Sequence, residues 1–245
     1  MDHTMTTYEQ QVHCRAADID IDFWRTPEGV AIPDDELRFL LVPDTVEAMM
    51  VGEVAEQIKA FQQSANEPIT RALMVTMGGL LPGILLHDHL VHMPSAPHIA
   101  FGSIGVSLYT GPDQRRPKPQ VVQESSLEVR DEVVILVDDL GDRGDTLRFL
   151  SEHITERGAR RVMSLALFMK PRAKTVCPAN FYFGELTQDT WIITPREYVE
   201  TMAKRIPVWK QRGATQAECQ RRLVDLIGYP PHLVDTYLET LFEQG

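Results

Sequence analysis

Residues 134–146 read VILVDDLGDRGDT, four apolar residues that run directly into two adjacent acids and then a turn with two glycines ending at Thr146. Together with Val133, the apolar part is a continuous run rich in β-branched residues, the pattern of a strand buried on both faces. The turn sets Asp138, Asp139, Asp142 and Asp145 against a single cation, Arg143. Solvation of a turn accounts for one or two of these acids but not for four. A calcium loop fails, because every register puts Leu140, Gly141 or Arg143 where an oxygen ligand belongs. A P-loop nucleotide site fails as well, because the chain has no G-x-x-x-x-G-K-[ST]. A third arrangement fits: helix-start N–H groups and the Thr146 hydroxyl take a phosphate, while the carboxylates take ribose hydroxyls or Mg²⁺. Since the loop would repel a polyphosphate by itself, that arrangement requires a divalent cation.

The flanking sequence sets this strand in a repeating order. Val46, Met49, Met50, Val54, Ile58 and Phe61 mark an amphipathic helix, Ala72–Val75 a short strand, and TMGGLLPGILLHDHL a Gly-Gly turn into a second apolar helix. His98–Tyr109 reads as strand and TGPDQRRPKPQ, with three prolines, as a long exposed loop. Leu147, Leu150 and Ile154 give a helix after the acidic turn, and Val162–Phe168 a further strand. The alternation predicts an α/β fold around a mainly parallel sheet flanked by helices, with ligands at the carboxyl ends of the strands. We expect residues 1–44 to be an N-terminal extension, a flap or a sheet-edge segment, residues 45–204 the core with a small hood, and residues 205–245 an extension of two short amphipathic helices joined by GYPP.

Composition narrows the function. The chain has 245 residues, 43% hydrophobic content and a formal net charge of −11, enough apolar content for an ordinary core and the wrong sign for a general nucleic-acid binder. No apolar run approaches a membrane span, and the N-terminus lacks the pattern of a signal peptide, so a cytoplasmic location is expected. Cys14, Cys177 and Cys219 have neither disulfide nor zinc spacing. His87, His89 and His92 lack an acid to complete a metal set.

With these residues on the page, VILVDDLGDRGDT resembles the phosphoribosyl pyrophosphate signature of the type I phosphoribosyltransferases. VTMGGLLPGILL resembles the Gly-Gly pyrophosphate loop of the xanthine-guanine (6-oxopurine) group, and LFMKP and LTQDTWI resemble its base-binding segments. The resemblance covers roughly residues 45 to 197. It implies that Asp138 and Asp139 contact the ribose hydroxyls and Mg²⁺, Asp139 being the stronger metal candidate. It places Asp142 beside N7 of the purine and Arg143, Gly144, Asp145 and Thr146 around the 5′-phosphate. Met77, Gly78 and Gly79 become the pyrophosphate loop, with Met77 where the group has Arg or Lys. Lys170 becomes the donor to the 6-oxo group, Trp191 the stacking ring, Ile192 a backbone contact to the base, and Gln114 with Arg115 part of a mobile loop over pyrophosphate. The partners implied are phosphoribosyl pyrophosphate, a purine base and a second copy of the chain in a homodimer or larger assembly.

The implied chemistry suits these residue types. Loss of pyrophosphate from the anomeric carbon builds oxocarbenium character, so positioning and charge neutralisation supply most of the rate. Asp142 as base is worth about 10²–10⁴-fold. A lysine donor disfavours adenine, whose 6-amino group cannot accept its hydrogen bond. With Met77 and Arg143 departing from the group's pattern, the alternative is a catalytically weak sensor of nucleotide or phosphoribosyl pyrophosphate on the same fold.

Overall fold

The computed structural model describes residues 7–92, 98–111, 114–186 and 190–244, and the side chains of residues 108–118 lie outside that description. In chain order the elements are α1 (Tyr8–His13), β1 (Val30–Ala31), β2 (Arg38–Leu41), α2 (Asp44–Ala65), β3 (Arg71–Val75), α3 (Leu80–Val91), β4 (Ala100–Gly111) and β5 (Gln114–Gln123). There follow β6 (Val133–Val137), β7 (Leu140–Gly141), α4 (Asp145–Glu156), β8 (Arg161–Met169), α5 (Pro171–Val176), β9 (Phe181–Glu185) and β10 (Thr190–Ile193). The chain ends in α6 (Tyr198–Gln211), α7 (Gln216–Arg221), a π-helical turn at Arg222–Ile227 and α8 (Pro231–Gln244). Among the described residues no helix is long and apolar enough to cross a membrane.

The chain divides into two compact units, Ala48–Glu185 and a terminal unit made of Met1–Glu47 with Leu186–Gly245. The sequence reading set its boundaries at 44 and 204; in the structure residues 186–204 group with the chain ends.

In the Ala48–Glu185 unit the sheet runs β5-β4-β3-β6-β8, with β7 and β9 also pairing with β8. Every pair is parallel except β4 with β5. The mainly parallel sheet is therefore the expected one, and β6 lies at its middle with all five residues fully buried, each contributing roughly 2 kcal/mol of transfer free energy. Leu147, Leu150 and Ile154 of α4 are buried against this sheet in one cluster with Leu73, Val134, Leu136 and Ala166.

One expectation is corrected. The stretch read as a long loop is two arms of an antiparallel hairpin, β4 and β5, paired from Gly105↔Gln123 to Gly111↔Gln114 with register shifts between. Proline blocks a central strand but not an edge one, and among the described residues β5 pairs with β4 alone. Pro117 and Pro119 fall in the irregular part of the ladder, between the pairs Tyr109↔Arg115 and Ser107↔Gln120.

The terminal unit is built by contacts between the two ends of the chain. Its sheet is β1-β2-β10, with β2 antiparallel to β1 and parallel to β10. Phe39, Leu41 and Ile193 join Met202, Ile206, Trp209, Leu223 and Leu238 in a core that takes in α6, α7, the π turn and α8. Two polar devices fasten it. Tyr8 Oη donates to the Ile227 carbonyl at 2.9 Å and accepts from the Leu41 N–H at 2.8 Å. The Asp35 carboxylate, with no exposed side-chain surface, accepts from Arg205 at 2.5 Å, the Trp209 indole at 2.6 Å and the Leu37 N–H at 3.0 Å.

Burial alone would raise the Asp35 pKa, but the bonds from Arg205, the Leu37 N–H and Trp209 outweigh it and hold the group below its ordinary value. A carboxyl depressed on folding contributes stability above its unfolded pKa and loses that contribution as pH falls through the folded value. Asp35→Ala should therefore cost about 3 kcal/mol near neutral pH, since Arg205 is left buried without its partner. Urea melts of both proteins check this, and the gap between them should begin to narrow below roughly pH 4, as pH falls toward the depressed folded value.

Candidate active site

The carboxyl ends of β3 and β6 carry the residues picked from the sequence. After Val75, Thr76 continues the ladder by donating to the Ile104 carbonyl at 2.9 Å, and Met77, Gly78 and Gly79 then turn into α3. Met77 has φ +71° and is 68% exposed. For a side chain this left-handed backbone costs about 1–2 kcal/mol, and the exposed thioether recovers little of it by packing. Gly78 faces the acids. A Cβ there would lie under 3.0 Å from both the Asp138 and the Asp139 Oδ1 atoms, so only glycine lets the loop come this near.

Asp138 and Asp139 sit where β6 gives way to β7, each under a tenth exposed. The strand line does not break there. Val137 pairs with Leu165 and Leu140 with Phe168, the same offset on both sides of the acids, while Asp138 N–H donates to Leu165 and Asp139 O accepts from Leu167. Asp138 Oδ1 also accepts from the Asp139 N–H at 3.1 Å. Backbone pairing thus fixes both acids, and their Oδ1 atoms converge on one point beside Gly78. Two hard carboxylate oxygens so placed would suit Mg²⁺, which takes one or two carboxylates and keeps most of its shell for other oxygens. Among the described residues no group of three or more His, Cys, Asp and Glu is placed to hold a metal.

The loop from Asp142 to Thr146 wraps a small cavity of about 50 Å³ lined by Asp138 and residues 140–147. Gly144 caps α4 with φ +79°. The helix opens on Asp145, Thr146 and Leu147, whose N–H groups precede the first intrahelical bond and point out of its end. Asp145 is flanked by Arg143 Nε at 3.7 Å and Arg148 at 3.6 Å. Arg148 escaped the sequence reading although its i,i+3 spacing from Asp145 was visible.

Lys170 follows β8 and caps α5, its side chain 13% exposed with Nζ 2.8 Å from Asp142 Oδ1. Its N–H donates to the Gly141 carbonyl at 2.9 Å. The structure thus brings Asp138, Asp139, Asp142, Lys170 and the two loops together in the Ala48–Glu185 unit.

Trp191 and Ile192 belong to the terminal unit, on the edge strand β10 beside Phe39 and Leu40. The Trp191 indole donates to Thr201 at 3.0 Å, and Lys204 Nζ stands 5.4 Å from the centre of the ring. Arg115 and Gln114 are on β5, with side chains outside the described residues. Residues 187–189 of LTQDTWI lie outside the description.

Residues 50–199 match the phosphoribosyl transferase domain. The chain belongs to the phosphoribosyltransferase family. Xanthine-guanine phosphoribosyltransferases of Gluconobacter oxydans and Idiomarina loihiensis are each 26% identical to it, over 58% and 59% of this chain and 76% and 83% of their own. The structure of a purine phosphoribosyltransferase from Pyrococcus horikoshii shares the fold at 24% identity with a TM-score of 0.52, covering 64% of this chain and 92% of that one. A hypothetical protein from Neisseria gonorrhoeae with bound ppGpp does so at 18% identity and a TM-score of 0.53, covering 66% and 90%. The family is of type I, near the 6-oxopurine enzymes, and the chain is a phosphoribosyltransferase by this membership.

The positive φ of Gly144 gives a stability test. A Cβ at that position meets the Cys177 backbone nitrogen at 3.1 Å and Val176, and the left-handed backbone disfavours any side chain. Gly144→Ala should cost about 1–2 kcal/mol in a denaturant melt, whereas Gly213→Ala, with φ +93° but nothing within 4 Å, should cost only the conformational share.

Proposed function

We propose that the protein transfers the phosphoribosyl group of phosphoribosyl pyrophosphate to N9 of a 6-oxopurine, giving the nucleoside 5′-monophosphate and pyrophosphate in a Mg²⁺-dependent reaction. The observation that carries this reading is the Asp142–Lys170 pair at 2.8 Å beside the phosphate cavity and the two converging acids. A 6-oxopurine presents an acceptor at O6 and a developing N7–H next to it. An ammonium and a carboxylate held side by side complement those two atoms, and their mutual contact keeps the pair in place before the base arrives.

In this reading the chain's own groups act by position. The start of α4 and Thr146 hold the 5′-phosphate, Asp138 and Asp139 hold the ribose hydroxyls, and the Gly78–Gly79 backbone faces the pyrophosphate. When bound at Asp138 and Asp139, Mg²⁺ supplies neutralisation of charge on the leaving pyrophosphate. Asp142 stabilises the proton at N7 as N9 bonds to the anomeric carbon and the bond to pyrophosphate breaks. Lys170 donates to O6, Trp191 lies flat on the base, and Ile192 offers its backbone to the exocyclic edge. Arg115 approaches the pyrophosphate. Self-association into a dimer or larger and a cytoplasmic site of action, in keeping with three free thiols, belong to the same proposal.

Pyrophosphate release from phosphoribosyl pyrophosphate and Mg²⁺ should require xanthine, guanine or hypoxanthine and be slow with adenine. Asp142→Asn should lower kcat by roughly 10²-fold or more. The exposed, strained Met77 at the pyrophosphate loop favours a second reading, a sensor with little turnover. Retained binding of phosphoribosyl pyrophosphate without release for any base would establish that reading and sink the first.

A further inference from the structure

The terminal unit contains a cavity of its own. It is open-sided, about 770 Å³, and lies among α1, the stretch Asp22–Ala31, Arg38 of β2 and the π-turn residues Asp225 and Leu226. Small-molecule sites occupy roughly 300–1,000 Å³. Phe23 and Leu226 supply apolar wall, and Tyr8 contributes only its ring, because both functions of its hydroxyl are taken by Ile227 and Leu41.

The charged lining distinguishes this hollow from an ordinary surface cleft. Arg38 stands on the middle strand, and alternation turns it away from Phe39 and Leu41, which enter the core. Its Nε is buried and has no hydrogen-bond partner, and no carboxylate of the described residues forms an ion pair with it. Glu9, Glu28 and Asp225 line the same cavity as exposed acids, none bonded to a cation among the described residues. Asp22 is already tied to Arg25 at 2.8 Å.

These groups select by exclusion. A simple anion would reach Arg38 past three repelling carboxylates, and a simple cation would leave the guanidinium unsatisfied. A molecule with both charges meets every group with its opposite. We infer that this cavity binds a small zwitterion, its carboxylate on Arg38, its amine among Glu9, Glu28 and Asp225, and an apolar spacer against Phe23 and Leu226. A guanidinium and a carboxylate make a bidentate pair, the strongest contact available there.

Isothermal titration of the full chain with 6-aminohexanoate, hexanoate and hexylamine separates the possibilities. The zwitterion should bind with a Kd on the order of 1 mM, as suits so few atoms, and each half-probe should bind at least about tenfold more weakly. Arg38→Gln should weaken 6-aminohexanoate by roughly tenfold, and Asp225→Asn, at an exposed position, by about threefold, with circular dichroism unchanged. Where Arg38→Gln fails to fold, Asp225→Asn with Glu28→Gln decides. The inference is overturned by hexanoate or hexylamine binding as tightly as the zwitterion, by no binding of 6-aminohexanoate to the folded chain, or by binding that survives the substitutions. Pyrophosphate release plays no part in the test, so it stands apart from the fate of the transferase reading.

Discussion

The parallel register between β6 and β8 is the constraint from which the candidate site follows. Val137 lies opposite Leu165 and Gly141 opposite Met169 at one unchanged offset, and the same offset carries Asp142 to Lys170. The ion pair at 2.8 Å is the next rung of that ladder, made by side chains where the backbone pairing ends at the Gly141–Lys170 hydrogen bond. A slip of one residue would set Asp142 opposite Met169 or Pro171 in place of Lys170, so the pairing of β6 and β7 with β8 also sets the distance between these two charges.

Electrostatics and close packing pull against each other at this end of the sheet. Two nearly buried carboxylates repel, and desolvation adds to the cost. Local backbone bonding holds them together: Asp138 accepts from the Asp139 N–H, and Asp139 serves two N–H groups of β8 with its carbonyl. The two arginines near Asp145 and the lysine on Asp142 remove much of the remaining charge. The loop is therefore less anionic in space than its sequence suggests.

How much of this was legible depended on range along the chain. The buried strand, the acidic turn and the helix after it are local patterns, and each stands within a residue or two of where periodicity put it. The β4–β5 hairpin was hidden because proline content suggests a loop unless the strand is known to lie at an edge, and edge position is a property of the sheet. The terminal unit was the least visible. Its ties, Tyr8 to Ile227 and Asp35 to Arg205 and Trp209, join residues from opposite ends of the chain, and no window of sequence displays them. Arg148 was visible at helical spacing but had no signal to mark it until Asp145 was placed at the start of α4.

That distribution bears on the proposed chemistry. The residues proposed for phosphate, ribose and N7 are set by the parallel sheet, whereas Trp191 is oriented by the terminal unit: its indole is bonded to Thr201 of α6, and α6 is anchored by Arg205 and Trp209 on Asp35. The Asp35 carboxylate is thus joined to the ring proposed to stack on the base by two hydrogen bonds with α6 between them, and none of Asp35, Trp209, Thr201 and Trp191 lies within the sheet unit. Weakening that anchor, by substitution or by acid, releases the helix that aims the ring and leaves Asp138, Asp139 and the α4 start in their own register. On the proposed reading, stacking on the base would weaken first, while phosphoribosyl pyrophosphate and the contacts of Lys170 to O6 and Asp142 to N7 stay with the sheet unit.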